Sequence, residues 1–348
     1  MQIVHAPHLP IRAEWLALRD EPVLEPALAI VDAHHHLWDR QSGRYLADEF
    51  RNDVSSGHRV VSTVYVQCRS MLREHGPDAM KPVGEVEFAN GIAAMFASGA
   101  YGPARCCEAI VGGADLTQGA QLEAVLEAML AVSGGRLRGI RNPLAWHPHP
   151  AVSSSPVVPP RELMANPAFR DGVRTLGSFG LSLDAWVYHT QLDELYDLAR
   201  VVPDVTVVID HFGGPLGVAT YANQRPAVHA EWKHKLARLA ALPNTRIKLG
   251  GAGMNVFGFD FATRELPPSS EELAAAWQPY FETCVELFGT DRCMFESNFP
   301  VDKGMFSYRV LWNAFKRLAS AMSADEKAAL FHRTAASTYR LAIAGDNK

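Results

Sequence analysis

The feature that most constrains this chain is an alternation repeated eight times. Short apolar runs lie at 28–34, 61–68, 107–115, 136–142, 181–187, 204–210, 245–251 and 291–297. Segments with helical spacing lie between them, at 83–98, 119–132, 167–179, 190–200, 228–241, 270–288 and 306–320, with a last one at 324–342. Strand–helix alternation implies an α/β fold with a parallel sheet, and eight units suit closure into a (β/α)8 TIM barrel. An open doubly wound sheet is disfavoured, because no glycine-rich phosphate turn follows the first run; histidines occupy that place. Ser269 with Glu272, and Ser323 with Glu326, form capping boxes at two helix starts. Within 190–200, Leu192, Leu195, Tyr196 and Ala199 form one apolar stripe. The expected layout is an N-terminal extension over 1–27, one barrel over 28–342 and a tail over 343–348.

Composition closes off other classes. With 48% hydrophobic and 20% charged residues the chain has material for a large core. Its balance of 33 basic against 38 acidic side chains, a net charge of −5, argues against a nucleic-acid or anionic-membrane binder. No apolar stretch approaches the ~20 residues of a membrane helix. The opening MQIVHAPHLPIRAEW lacks the layout of a secretion signal. The five cysteines (Cys68, Cys106, Cys107, Cys284, Cys293) show no C-x-x-C spacing, which argues against disulfides or a structural zinc site and fits a reducing cytoplasm. The vicinal Cys106–Cys107 pair reads as packing rather than redox chemistry.

Four connections are long: 69–82, 143–165, 212–227 and 250–269. Each follows a strand and so lies at the C-terminal barrel face, where active sites form. The sharpest chemical signal sits at that face too, in DAHHHLW at 32–38. Strand alternation puts Asp32, His34 and His36 on one face, looking into the barrel. Two imidazoles at this spacing can hold a metal or clamp an anion or carbonyl. His211, ending the sixth strand in VVIDHFGGP, reaches the same barrel end, and the glycines after it permit a tight turn.

The motifs DAHHHLW, DHFGGP and MFESNFPVD resemble the amidohydrolase-2 branch of the amidohydrolase superfamily, within it the sugar-lactone and 2-pyrone-4,6-dicarboxylate lactonase group. The resemblance runs from about residue 28 to 341. It implies a TIM-barrel hydrolase acting on small, usually carboxylated, lactones or related bonds. Some members are decarboxylases, and some dispense with metal. It matches His34 and His36 to the family's strand-1 pair, His211 to its strand-6 histidine, and Arg141 to a substrate-contacting cation on strand 4. The family's strand-8 motif is typically G-S-D-W-P, whose Asp activates water or binds metal. Here Asn298 stands in its place. An amide cannot ionise and is a poor transition-metal ligand, but it can orient water or donate to an oxyanion.

Met294, Glu296 and Asn298 share a strand face, so Glu296 is a candidate replacement carboxylate and general base. The competing role is a structural ion pair with Lys248 at the barrel floor. Asp184 is the second candidate base; Trp186 and Tyr188, on its face, are candidate walls of the binding site. Gln67 and Arg69 end strand 2 as polar contacts, and Arg73, His75 and Lys81 add a cationic loop that fits an anionic substrate. Asp302, beyond a proline, reads as a turn or helix-entry residue that loop curvature can swing inward.

The sequence therefore predicts a cytoplasmic barrel hydrolase, a lactonase opening a carboxylated or polyhydroxylated lactone. His34, His36 and His211 polarise the carbonyl, directly or through one weakly held divalent cation such as zinc. Arg141 and Arg69 hold a carboxylate. Asn298 orients water that Glu296 or a neutral histidine deprotonates. Two rivals stay open: a decarboxylase or C–C hydrolase of an unsaturated acid, and a non-catalytic binding barrel, for which Asn298 is the argument. The expected partner is a small anionic molecule, with a homodimer as the expected assembly.

Overall fold

The computed structural model describes residues 8–41 and 43–343, so parts of the expected extension (1–7) and tail (344–348) lie outside the described residues. Among these residues, eight parallel strands form one sheet in sequential order. They are β1 (Ala29–His35), β2 (Arg59–Val66), β3 (Arg105–Gly113), β4 (Leu137–Arg141), β5 (Ser182–Ala185), β6 (Val207–Ile209), β7 (Thr245–Leu249) and β8 (Cys293–Phe295). The sheet curls until the chain beyond β8 meets β1: Asn298 N–H donates to the His34 carbonyl at 2.8 Å, and His36 N–H to the Phe299 carbonyl at 2.7 Å. This is the α/β barrel the alternation predicts. The seam is made by the backbone of residues that also build the site.

Two apolar populations hold the barrel. Outward residues such as Ile30, Tyr65, Ile110, Leu183, Ile209, Ile247 and Phe295 join the layer beneath the helices. Inside, Val31, Ala33, Val64, Val66, Ala109, Val111, Val208 and Met294 fill the lower lumen, with Ala335 and Tyr339 from the C-terminal helix packed among them. That helix was expected as one element over 324–342. It runs Ala324–Ala328, then a π turn over Ala329–Arg333, then Thr334–Tyr339. Both capping boxes form. On the helix Leu192–Val201 the buried stripe is Leu192, Leu195, Leu198 and Ala199; Tyr196 instead lies under the Arg238 guanidinium. All five cysteines are free. Among the described residues no helix is long and apolar enough to cross a membrane.

Strand β1 departs from simple alternation. Its pairing with β2 shifts register between Asp32 and His35. Asp32 therefore does not share the histidines' surroundings. It accepts from Ser297 N–H at 2.8 Å and from the Tyr308 hydroxyl at 3.0 Å, and burial raises its carboxyl to about 6. His35 stacks on Phe50, while His34 and His36 lie with their rings 4.7 Å apart. A bulge of this kind re-aims side chains at a barrel rim. The sequence also did not foresee the ribbon of Trp38–Arg40 with Gly43–Tyr45, or the short helices Ala13–Ala17 and Ala47–Val54.

The N-terminal extension is fastened to the barrel through Lys316, whose ammonium donates to the Leu24 and Glu25 carbonyls and to His58 Nδ1 at 2.9 Å. His58 spends its other ring nitrogen on the Arg309 carbonyl. Protonating His58 would set a second cation against Lys316; burial and then Lys316 hold its pKa down at about 4. Below its unfolded value near 6.5 the unfolded chain takes up a proton that the folded chain refuses. His58 therefore adds stability above pH 6.5 and loses it as pH falls toward 4, by at most about 1.4 kcal/mol per pH unit. Melting temperature should fall across that window, and His58→Gln should flatten the slope; an unchanged slope would remove His58 from this role.

Candidate active site

Above the apolar lumen the barrel carries a buried charged layer. Lys248, from β7, lies 2.7 Å from Asp184 Oδ2 and 3.0 Å from Asp210 Oδ1. Asp184 also accepts from Ser182 and from the Tyr339 hydroxyl. Burial works against the Lys248 charge, but Asp184 and Asp210 together raise its pKa. The expected Lys248–Glu296 pair is thus replaced by Lys248 with two aspartates. Asp184 is committed to the floor and does not reach the cleft, so neither it nor Lys248 contacts substrate there.

Glu296 joins two histidines. Its Oε2 lies 2.9 Å from His34 Nδ1 and its Oε1 2.7 Å from His211 Nδ1, and Oε1 also takes the His211 backbone N–H at 3.0 Å. Burial alone would raise this carboxyl; the His211 and His34 partners more than reverse that and hold it at about 2. With one oxygen on His211, the other facing His34 and neither in the cleft wall, Glu296 is not placed to act as general base. It orients imidazoles instead.

The tautomers follow from these partners. His211 directs Nδ1–H to Glu296, and His36 directs Nδ1–H to the Val66 carbonyl at 2.7 Å, while His34 Nδ1 lies between Glu296 Oε2 at 2.9 Å and the Lys248 ammonium at 3.2 Å. Neutral His36 then carries its lone pair on Nε2. The Nε2 atoms of His34 and His36 face each other at 3.1 Å with Arg141 Nη1 3.3 Å from the first. Burial, then Lys248 for His34 and Arg141 for His36, keeps both rings well below the ordinary histidine pKa, hence neutral.

Asp210, the residue before His211, escaped the sequence reading. Val208–Asp210 continues the inward alternation of β6, and that signal was available. Lys248 at 3.0 Å and Arg141 at 3.5 Å pair with it, yet neither buried oxygen receives a well-directed hydrogen bond. His34, Asp210 and His211 offer ligand atoms all within 4.8 Å of one another. Two imidazoles and an under-satisfied carboxylate at this separation fit a divalent cation.

Over this layer opens a cleft. His36, His211, Gln67, Arg69, Arg141, Trp186 and Asn298 line it, so the structure brings these expected residues together. Tyr188 stands behind Trp186, its hydroxyl bonded to Ser154, and is not part of the wall. The expected cationic loop is not there either: Arg73 pairs with Glu87, Lys81 with Asp78 and His75 with Glu74, all toward solvent. Two titratable lining residues were not singled out by sequence, Arg40 and His8. Both lie outside the barrel strands, and only the tertiary path carries them to the cleft.

Asn298 donates through Nδ2 to Asp302 Oδ1 at 2.8 Å, and Asp302 Oδ2 accepts from Gly253 N–H at 2.8 Å. Asp302 is therefore swung inward, and burial raises its pKa well above that of an ordinary carboxyl. The amide oxygen of Asn298 is the end left for the cleft, which makes it an acceptor for water more than an oxyanion donor.

Left-handed backbone aims three of the lining side chains: Arg69 at φ 62°, His211 at φ 54° and Asn298 at φ 54°. This conformation costs non-glycine residues roughly 1–2 kcal/mol each and clusters at functional sites. Glycines make room beneath. A Cβ on Gly251 would lie 2.3 Å from His211 Nδ1, and one on Gly250 2.5 Å from Glu296 Cγ.

The family comparison agrees with this architecture. The amidohydrolase family model matches residues 31–341, and the chain belongs to that family. Membership places it among hydrolase-type enzymes. The uncharacterized protein y4mH of Sinorhizobium fredii is 30% identical over 330 residues, covering 90% of this chain and 99% of that one. A Burkholderia multivorans amidohydrolase solved with bound zinc is 25% identical, with TM-score 0.69 over 90% of this chain and 100% of the other. Two more distant structures share the fold. A probable 2-pyrone-4,6-dicarboxylic acid hydrolase from Acinetobacter baumannii is 13% identical, with TM-score 0.58 over 90% of this chain and 99% of its own. A 5-carboxyvanillate decarboxylase from Novosphingobium aromaticivorans, complexed with manganese, is 12% identical, with TM-score 0.58 over 91% and 97%.

Two outcomes follow for the purified protein. Glu296→Gln should lower divalent-cation affinity by roughly 10–100-fold, because an imidazole loses its carboxylate partner; unchanged affinity by calorimetry would detach Glu296 from the candidate ligands His34 and His211. Gly251→Ala should leave the protein folded while reducing zinc retention, because the new methyl displaces His211; full zinc content would refute that placement.

Proposed function

We propose that the chain hydrolyses a small anionic lactone. The observation that carries this reading is the composition of the cleft wall: Arg40, Arg69 and Arg141 line it with His36, His211 and Asn298, and among the described residues no carboxylate does. The carboxylates Asp184, Asp210, Glu296 and Asp302 are all held beneath it. Arg141 is already engaged by Asp210, His34 and the Gln67 carbonyl. Arg69, pushed below its ordinary pKa by burial and then by Arg40, has no hydrogen-bond or ion-pair partner among the described residues. Two neighbouring guanidiniums in a sheltered cleft favour a carboxylate between them, and Arg40 with Arg69 are the groups that bind it.

His34, Asp210 and His211 are the residues that would hold a divalent cation, and when bound it supplies Lewis-acid polarisation of the ester carbonyl. The side chains supply the rest. The Asn298 amide oxygen accepts a hydrogen bond from the attacking water and orients it. His36, neutral and outside the three-residue ligand set, takes the water's proton at Nε2 while its Nδ1–H rests on the Val66 carbonyl. Arg141 lies beside the position where negative charge develops and stabilises it. Proton return from His36 to the ring oxygen completes the opening.

The test is a pH-indicator screen of D-glucaro-1,4-lactone, muconolactone and γ-butyrolactone, before and after chelation. Carboxylated lactones should open and γ-butyrolactone should not. Arg69→Ala should raise KM at least about tenfold with kcat little changed, as expected for loss of a charge-assisted contact. Release of CO2 from an unsaturated or aromatic acid, with no lactone opened, would overturn hydrolysis in favour of decarboxylation. Ligand binding without turnover of either class would leave a binding barrel.

A further inference from the structure

His8 is a cleft residue delivered from outside the family domain, whose match begins at residue 31. The N-terminal arm that carries it is seated along the loop after β7. Arg12 Nη2 donates to the Ala262 carbonyl at 2.7 Å, Trp15 Nε1 to the Arg264 and Glu265 carbonyls at 3.1 and 3.0 Å, and Arg19 Nε to the Pro267 carbonyl at 3.1 Å. Further along, Leu9 lies against Gly304, where an added Cβ would come within 2.4 Å of Leu9 Cβ. The arm therefore reaches the rim by specific contacts on two loops. There the His8 ring lies parallel to Trp38, with 5.8 Å between centroids and 13° between planes, while Arg40 sits 4.3 Å over the same indole. With Ser154, Met254 and Val301, His8 also lines a smaller recess beside the cleft. Its ring nitrogens have no hydrogen-bond partner among the described residues. Burial, then Arg40, holds the imidazole neutral, at a pKa of about 4. A neutral imidazole offers one N–H donor and one lone pair, which suits an uncharged oxygen rather than a second carboxylate.

We propose that His8 is a substrate-contacting specificity residue, which hydrogen-bonds a hydroxyl of the anion held by Arg40 and Arg69. The proposal rests on the reading of the cleft as an anion site, and it names the substrate class more narrowly as a hydroxylated carboxylate. The arm thereby makes selectivity depend on a segment that the barrel itself does not need for its charged layer.

Citrate and tricarballylate, which differ by one hydroxyl, test this by calorimetry on the full chain. The wild type should bind citrate about five- to tenfold more tightly, the worth of roughly one neutral hydrogen bond. His8→Ala should erase that preference while leaving tricarballylate affinity within about twofold. His8→Phe, which keeps a flat ring on Trp38, should erase it as well, and His8→Gln should restore part of it. Arg69→Ala should weaken both ligands alike, which checks the anion site separately. A preference that survives His8→Ala and His8→Phe, a wild type without preference, or a wild type that binds neither would overturn the proposal. Failure of every lactone to open, with the citrate preference lost in His8→Ala, would remove the hydrolase reading and leave the role of His8 standing.

Discussion

The site depends on one carboxylate placed between two imidazoles inside a barrel. Glu296 holds the His211 ring by a hydrogen bond to Nδ1 and sets its other oxygen 2.9 Å from His34 Nδ1. A carboxylate in that position would be costly without the matching donors, since a buried charge is tolerated only when paired and hydrogen-bonded. The same logic governs the level below, where Lys248 compensates Asp184 and Asp210. The polar layer is thus divided into a floor, which neutralises charge, and an upper set of histidines at the base of the cleft. Asn298 belongs to neither: tied to Asp302, it presents its oxygen to the cleft.

Fold and site are mechanically coupled. The barrel is joined between β1 and the chain after β8 through His34, His36, Asn298 and Phe299. Any shift that opens the seam also separates the histidines from Asn298. Gly250 and Gly251 are part of the same constraint, since backbone after β7 passes so close to Glu296 and His211 that a side chain would not fit. The strained backbones of Arg69, His211 and Asn298 are held by this surrounding structure, as over-determined sites require.

Much of the barrel was legible because its signals are local. The eight apolar runs fall on the eight strands with small end differences, and the two capping boxes form as spaced. The residues at the tips of β1, β2, β4, β6 and β8 converge because parallel strands deliver their ends to one face. Reading failed where side-chain direction departs from a period of two or where contacts cross the chain. Asp32 was assigned to the histidine face, but a register shift in β1 turns it to Ser297 and Tyr308. Lys248 was paired with Glu296, but three acidic residues compete for it and distance decides. The loop cations Arg73 and Lys81 were offered to substrate, but found acidic neighbours on their own surface.

The sequence by itself therefore determined the number and order of strands, the end of the barrel that carries chemistry, and the histidines that stand there. These follow from hydrophobic periodicity and from parallel connection, both written in short windows. The tertiary structure decided which carboxylate serves which cation, which imidazole nitrogens keep their lone pairs, and that Arg40 and His8 belong to the cleft. Those outcomes turn on separations of a few ångströms between residues far apart in the chain, and no local pattern encodes them.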